Sequence, residues 1–191
     1  MKILIVGDSY AVDWTVKYND YPGWPNLLAQ QYNVVNYAQA GVSQYKILKQ
    51  LQAQNINEFD VVISSFTSPY RVHTLKHPVH YQDKLHKNSD LLAIDCEYAY
   101  QRDKNNESLA TAKNYFKYHF DFDYYEYIYS LMLKECENII GECFHIKLAQ
   151  QQFGKYNWGQ LNEKYKGLVN HLSQKGNEIV FEEIKKQIDN F

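Results

Sequence analysis

The sequence predicts an α/β fold, a three-layer α/β/α sandwich around a mainly parallel sheet of four to five strands. Three observations carry the prediction. Short apolar runs without alternation, Ile3-Leu4-Ile5-Val6 first among them, read as strands buried on both faces. Segments with helical apolar spacing stand between those runs. Three of the strands end on small or polar residues, where open α/β sheets hold their ligands. Strand–helix alternation of this kind lays helices over both faces of a parallel sheet.

The elements follow in order. After Ile3–Val6, Gly7 permits a sharp turn and leaves Asp8 and Ser9 at the strand's C-terminal end. Trp24-Pro25-Asn26-Leu27-Leu28-Ala29 begins a helix, with Pro25 suited to its first turn. Val34-Val35-Asn36-Tyr37 is a second strand, ending in Ala38-Gln39-Ala40-Gly41-Val42-Ser43. Ser43 can cap the next helix, whose apolar positions are Ile47, Leu48 and Leu51. Phe59 to Phe66 is a third strand, followed by Thr67-Ser68-Pro69. Residues 72–110 lose periodicity and turn polar, and 107–140 read as one long helical region rich in aromatics. Cys143 to Leu148 is a fourth strand, and a last helix aligns Val180, Ile184, Ile188 and Phe191.

Bulk properties set the class. The chain of 191 residues is one domain over 1–191, with an insertion or lid around 72–140. A net charge of -2 gives no reason to expect nucleic acid as a partner. Nothing approaches the ~20 apolar residues that cross a bilayer, so no membrane partner is expected. Cys96, Cys136 and Cys143 are an odd count without zinc spacing, which fits a reduced, cytoplasmic chain. The eighteen tyrosines carry no chemistry by themselves.

Ser9 at a strand end is either a helix cap or a nucleophile. Gly7-Asp8-Ser9 after the first strand, Gly41 after the second, a polar turn after the third and His171 in "NHLSQKGNEI" form a constellation. It resembles the SGNH (GDSL-like) hydrolase family over most of the chain, with 72–140 least constrained. The resemblance implies an SGNH-type, flavodoxin-like sandwich and ester hydrolysis through an acyl-serine. Ser9 would be the nucleophile and His171 its base, since imidazole takes up a proton near neutral pH. The oxyanion would meet the backbone N–H of Ser9, that of Gly41 and a side-chain donor after the third strand. Glycine at 41 is expected because a substrate must approach its backbone closely.

The sequence departs from the family at two places. "SSFTSPYR" offers no asparagine after the third strand, so Thr67 or Ser68 must donate. Leu168 stands where the family has an aspartate three residues before the histidine, leaving a backbone carbonyl or Glu163 to orient His171. A small-molecule or carbohydrate ester is the expected substrate, and deacetylation the favoured reaction. The alternatives are a catalytically degenerate binding protein on the same fold, or an acyltransferase using the same serine. No metal or organic cofactor is implied, and a homo-oligomer is left open.

Other residues carry two readings each. Asp8 and Arg71 can bind substrate, Arg71 through a carboxylate, phosphate or sulfate. Asp8 can equally hold its own turn, and Arg71 can pair with a structural acid. His73, His77, His80 and His86 match no common zinc spacing and read as a solvated loop. The aromatic stretch from Tyr115 to Tyr129 reads as packing, with stacking on sugar rings the sharper alternative.

Overall fold

The computed structural model describes residues 1–15, 21–80, 85–150, 152–167 and 171–191. Its centre is a four-stranded parallel sheet in the order β2-β1-β3-β4. The strands are β1 (Lys2–Gly7), β2 (Asn33–Asn36), β3 (Val61–Ser65) and β4 (Phe144–Lys147). Leu4 of β1 lies opposite Val35 on one side and Val62 on the other. A small antiparallel pair, β5 (Gln152–Phe153) with β6 (Tyr156–Asn157), follows the main sheet.

Successive residues of β1 feed opposite layers, because strand side chains alternate. Ile3 and Ile5 pack with Trp24 and Leu28 of α1 (Trp24–Ala29) and with Val180, Ile184 and Ile188 of α7 (Gln174–Asp189). Leu4 and Val6 pack with Ile47 and Leu51 of α2 (Gln44–Gln52) and with Cys136 and Ile140 of α5 (Phe122–Ile140). Each fully buried aliphatic side chain in these two layers contributes about 1.5–3 kcal/mol. The sandwich is therefore three-layered, as the unalternating apolar runs require.

Local signals set the helix ends. Pro25 sits in the first turn of α1. Asn106 caps α4 (Glu107–Tyr118) by accepting from the Leu109 N–H, and Asp121 caps α5 by accepting from the Tyr124 N–H. Ser173 does the same for α7 through the Gly176 N–H. The elements α3 (Ala93–Arg102) and α6 (Trp158–Lys164) complete the set among the described residues.

Several expectations change. Residues 107–140 are two helices, because Asp121 starts a new one two residues after α4 ends at its cap His119. The irregular part of the insertion is shorter than 72–110, since α3 occupies 93–102. Ser43 stands at the cap position of α2, but its hydroxyl makes no capping bond; its N–H goes to Asp90 instead. Phe191 lies beyond α7 and is exposed, stacking on Phe144 at 4.5 Å. The three cysteines are free, and burial raises the thiols of Cys96 and Cys136 to about 11. No described helix is long and apolar enough to cross a membrane.

Candidate active site

The C-terminal ends of β1 and β3 meet at Gly7 and Ser65, which pair in register. A Cβ on Gly7 would lie 2.6 Å from the Ser65 Cβ, so only glycine lets these strand ends come this close. The Gln50 side chain on α2 accepts from the Gly7 N–H at 2.8 Å and donates to the Gly7 carbonyl at 3.3 Å. The chain then enters a short 3-10 turn over Ser9–Ala11.

That turn is capped by Asp8. Its Oδ1 accepts from the Tyr10 N–H at 3.1 Å and from the Ser65 hydroxyl at 3.0 Å. This is the turn-holding use that the sequence suggested for Asp8. Ser9 is thus the first residue within the turn, not its cap. The turn's own carbonyls are all taken by side-chain donors. Trp14 Nε1 donates to Ser9 at 2.9 Å, Trp24 Nε1 to Tyr10 at 2.8 Å and Asn36 Nδ2 to Ala11 at 2.8 Å. The Ser9 backbone is fixed, while its half-buried hydroxyl and its N–H bond to no described residue.

Burial raises the Asp8 carboxyl to about 6, against the opposing pull of the Tyr10 N–H, the Ser65 hydroxyl, the Arg71 charge and the Thr67 hydroxyl. Thr67, nearly buried, therefore faces the Asp8 side of the site. Ser68 is exposed, and its hydroxyl accepts from the Tyr70 N–H. Of the two hydroxyls expected after the third strand, Thr67 is the one that turns inward.

Gly41 has φ +73°, a conformation that favours glycine. Its N–H donates to no described group. The neighbour that excludes a side chain here is Ser89, whose Oγ would lie 2.4 Å from a Cβ on Gly41. The close approach predicted for substrate is made, on that side, by the insertion itself. Asp90, fully buried, ties the insertion down. It accepts from the Ser43 N–H (2.7 Å), the Thr74 N–H (2.8 Å) and Lys46 Nζ (2.7 Å), with His73 Nδ1 at 3.3 Å. Arg71 Nη1 donates to the carbonyls of Gly41 and Asp90 and lies 3.9 Å from Asp95, so its charge is spent on the fold.

His171 comes from the far end of the chain, two residues before the cap of α7. Its ring packs on Trp14 at 4.5 Å between centroids and on Tyr10 at 5.0 Å. Trp14 thus touches both the Ser9 carbonyl and the His171 imidazole. The Tyr10 contact brings the His171 ring beside the Ser9–Ala11 turn. Leu168 lies outside the described residues, and Glu163 is exposed on α6, away from any bond to His171.

The histidine-rich loop is solvated at His73, which is exposed, but not at His77. His77 is buried, and its ring meets His80 at 4.6 Å, which meets His86 at 5.3 Å, which meets Trp14 at 5.9 Å. No group of described residues is arranged to hold a metal ion. The aromatic stretch makes its own cluster, with Phe120 stacked on Tyr125 at 4.5 Å and the hydroxyls of Tyr115 and Tyr125 at 2.7 Å. Tyr118, Phe122, Tyr124 and Tyr127 stay exposed. Sequence reasoning missed Gln50, Ser89 and Asp90, which nothing in their local sequence marks. It also passed over Trp14, though five residues after Ser9 is a short reach for a bulky aromatic.

No family model matches this sequence, and no curated protein does. Among solved structures, the chain is similar to a "putative acylhydrolase" of Bacteroides fragilis. The TM-score is 0.45 at 11% identity, covering 99% of this chain and 86% of that one. It is also similar to a "putative lipolytic protein of G-D-S-L family" of Desulfitobacterium hafniense. There the TM-score is 0.42 at 12% identity, covering 97% and 98%.

Proposed function

We propose that the protein is a serine ester hydrolase acting through an acyl-enzyme on Ser9. The observation that carries the reading is the state of the Ser9 turn. Its cap is supplied by Asp8 and its carbonyls are taken, yet the Ser9 hydroxyl and N–H are left open at the carboxyl end of a parallel sheet. A serine needed only as a cap would spend its hydroxyl on the turn.

In the proposed reaction, Ser9 Oγ attacks the ester carbonyl carbon and passes its proton to His171. The carbonyl π electrons move onto oxygen, and the N–H groups of Ser9 and Gly41 meet that charge, joined by the Thr67 hydroxyl once it turns its one proton from Asp8 to the oxyanion. Collapse breaks the bond to the alcohol, which leaves with the proton from His171. Water then repeats the sequence on the acyl-serine and releases the acid. A small ester is the substrate class, with a carbohydrate acetyl ester favoured by the family resemblance. The site needs no metal for these steps.

The unbonded Ser9 hydroxyl favours one competing reading, a degenerate binding protein on the same fold. Labelling with a fluorophosphonate, read by mass spectrometry, separates the two. A covalent mark on Ser9 is expected, together with turnover of p-nitrophenyl acetate. Ser9→Ala should lose both while keeping stability within about 1 kcal/mol. A wild-type chain that neither labels nor turns over the ester is a binding protein. An acyl group moved to an added sugar in preference to water makes the enzyme a transferase.

A further inference from the structure

The peptide unit that joins Ala40 to Gly41 carries two groups of interest. Its N–H, on Gly41, donates to no described group. Its carbonyl, on Ala40, accepts from the Ser89 hydroxyl at 3.1 Å. The next carbonyl, on Gly41, accepts from the Asp90 N–H at 2.8 Å and from Arg71 Nη1 at 3.0 Å. Both peptide planes flanking Gly41 are therefore gripped from the insertion side, and Ser89 is nearly buried there.

We infer that Ser89 is a positioning residue for the oxyanion hole, acting through the Ala40–Gly41 peptide. The inference rests on the hydrolase reading of Ser9. Two physical effects support it. Glycine offers little resistance to rotation of the peptide plane beside it, so an ungripped plane could turn its N–H away from the cleft. The Ser89 bond pins the carbonyl end of that plane and hence the direction of the N–H. A carbonyl that accepts a hydrogen bond also polarises its own peptide, which makes the N–H a better donor. The glycine at 41 fits the same account, since any Cβ would displace the Ser89 hydroxyl. On this reading Ser89 and Asp90 are part of the catalytic frame.

The effect belongs to the transition state, since the ester carbonyl carries little charge before attack. Ser89→Ala should lower kcat for p-nitrophenyl acetate about tenfold, leave KM within about twofold, and keep the melting temperature near that of the parent. Inhibition by methylboronic acid, whose adduct on Ser9 carries an oxygen toward the oxyanion hole, should weaken by the same factor as kcat. Ser89→Thr, which retains the hydroxyl, should recover most of both. An active parent whose Ser89→Ala form keeps kcat overturns the inference and leaves the hydrolase intact. So does a Ser89→Ala form that melts early but turns over normally while folded. A parent that neither hydrolyses the ester nor labels at Ser9 overturns the hydrolase reading, and this inference falls with it.

Discussion

A single buried carboxyl sets the tone at the residue scale. Asp8 is raised from 3.8 to about 6 by burial, so folding favours its protonated form. A raised carboxyl pKa gives stability that is complete below the unfolded value and is lost as pH rises through the folded one. Asp8→Asn removes that loss and keeps an oxygen to accept from Tyr10 and Ser65. The variant should gain up to roughly 3 kcal/mol over the parent above pH 7, and nothing below about pH 4, in urea melts. An equal or lower stability at pH 8 would show that the ionised form is better served than its burial suggests. Ser9 itself was legible from the sequence because a short apolar strand and a glycine place it by chain direction alone. Its cap was not legible, since Asp8 and Ser9 are both good capping residues and only the fold decides between them. Gly41 was legible as a glycine, but Ser89, the group that crowds it, was not, since it comes from forty-eight residues away.

At the scale of elements, β4 and the described residues between β3 and α3, here called the strap, carry the acid sensitivity. His145 on β4 lies against Ser64, with Nε2 and Oγ at 2.9 Å, and burial, aided by the Lys147 charge, lowers it to about 4. His77 in the strap is also lowered to about 4, by burial first and then by the charges of His80 and Arg71. A depressed histidine gives stability that is complete above its unfolded value and is lost as pH falls toward the folded one. Between about pH 6.5 and 4 the denaturation midpoint should therefore drop, since two histidines oppose the single gain from Asp8. A midpoint that stays level across that window would mean that neither imidazole is buried in solution. The strands β1 and β3 were legible because two covered faces force unbroken apolar runs. The strap was not, because its order comes from long-range ties such as Lys46 and Ser43 to Asp90, which leave no local period. The paired helices α4 and α5 were merged in the sequence reading because aromatics run through the turn between them.

For the molecule as a whole, the sheet order β2-β1-β3-β4 brings Ser9, Gly41 and Thr67 to one edge from three separate strand ends. That convergence was predictable once the strands were counted, because parallel strands share their carboxyl edge. The packing of His171 on Trp14 and Tyr10 was not legible, because it joins residues far apart in the chain. This packing has an optical consequence. The chain has three tryptophans, and they occupy three unlike settings. Trp24 is sealed in the core, and Trp158 packs against Tyr10 and Phe153. Trp14 alone is flanked by two imidazoles, those of His171 and His86. An imidazole packed on an excited indole draws charge from it, so Trp14 should be the dimmest of the three. Trp14→Phe should therefore cost little of the fluorescence, and His171→Gln should brighten the protein. The seat of the candidate base would then be readable as light, without any substrate present.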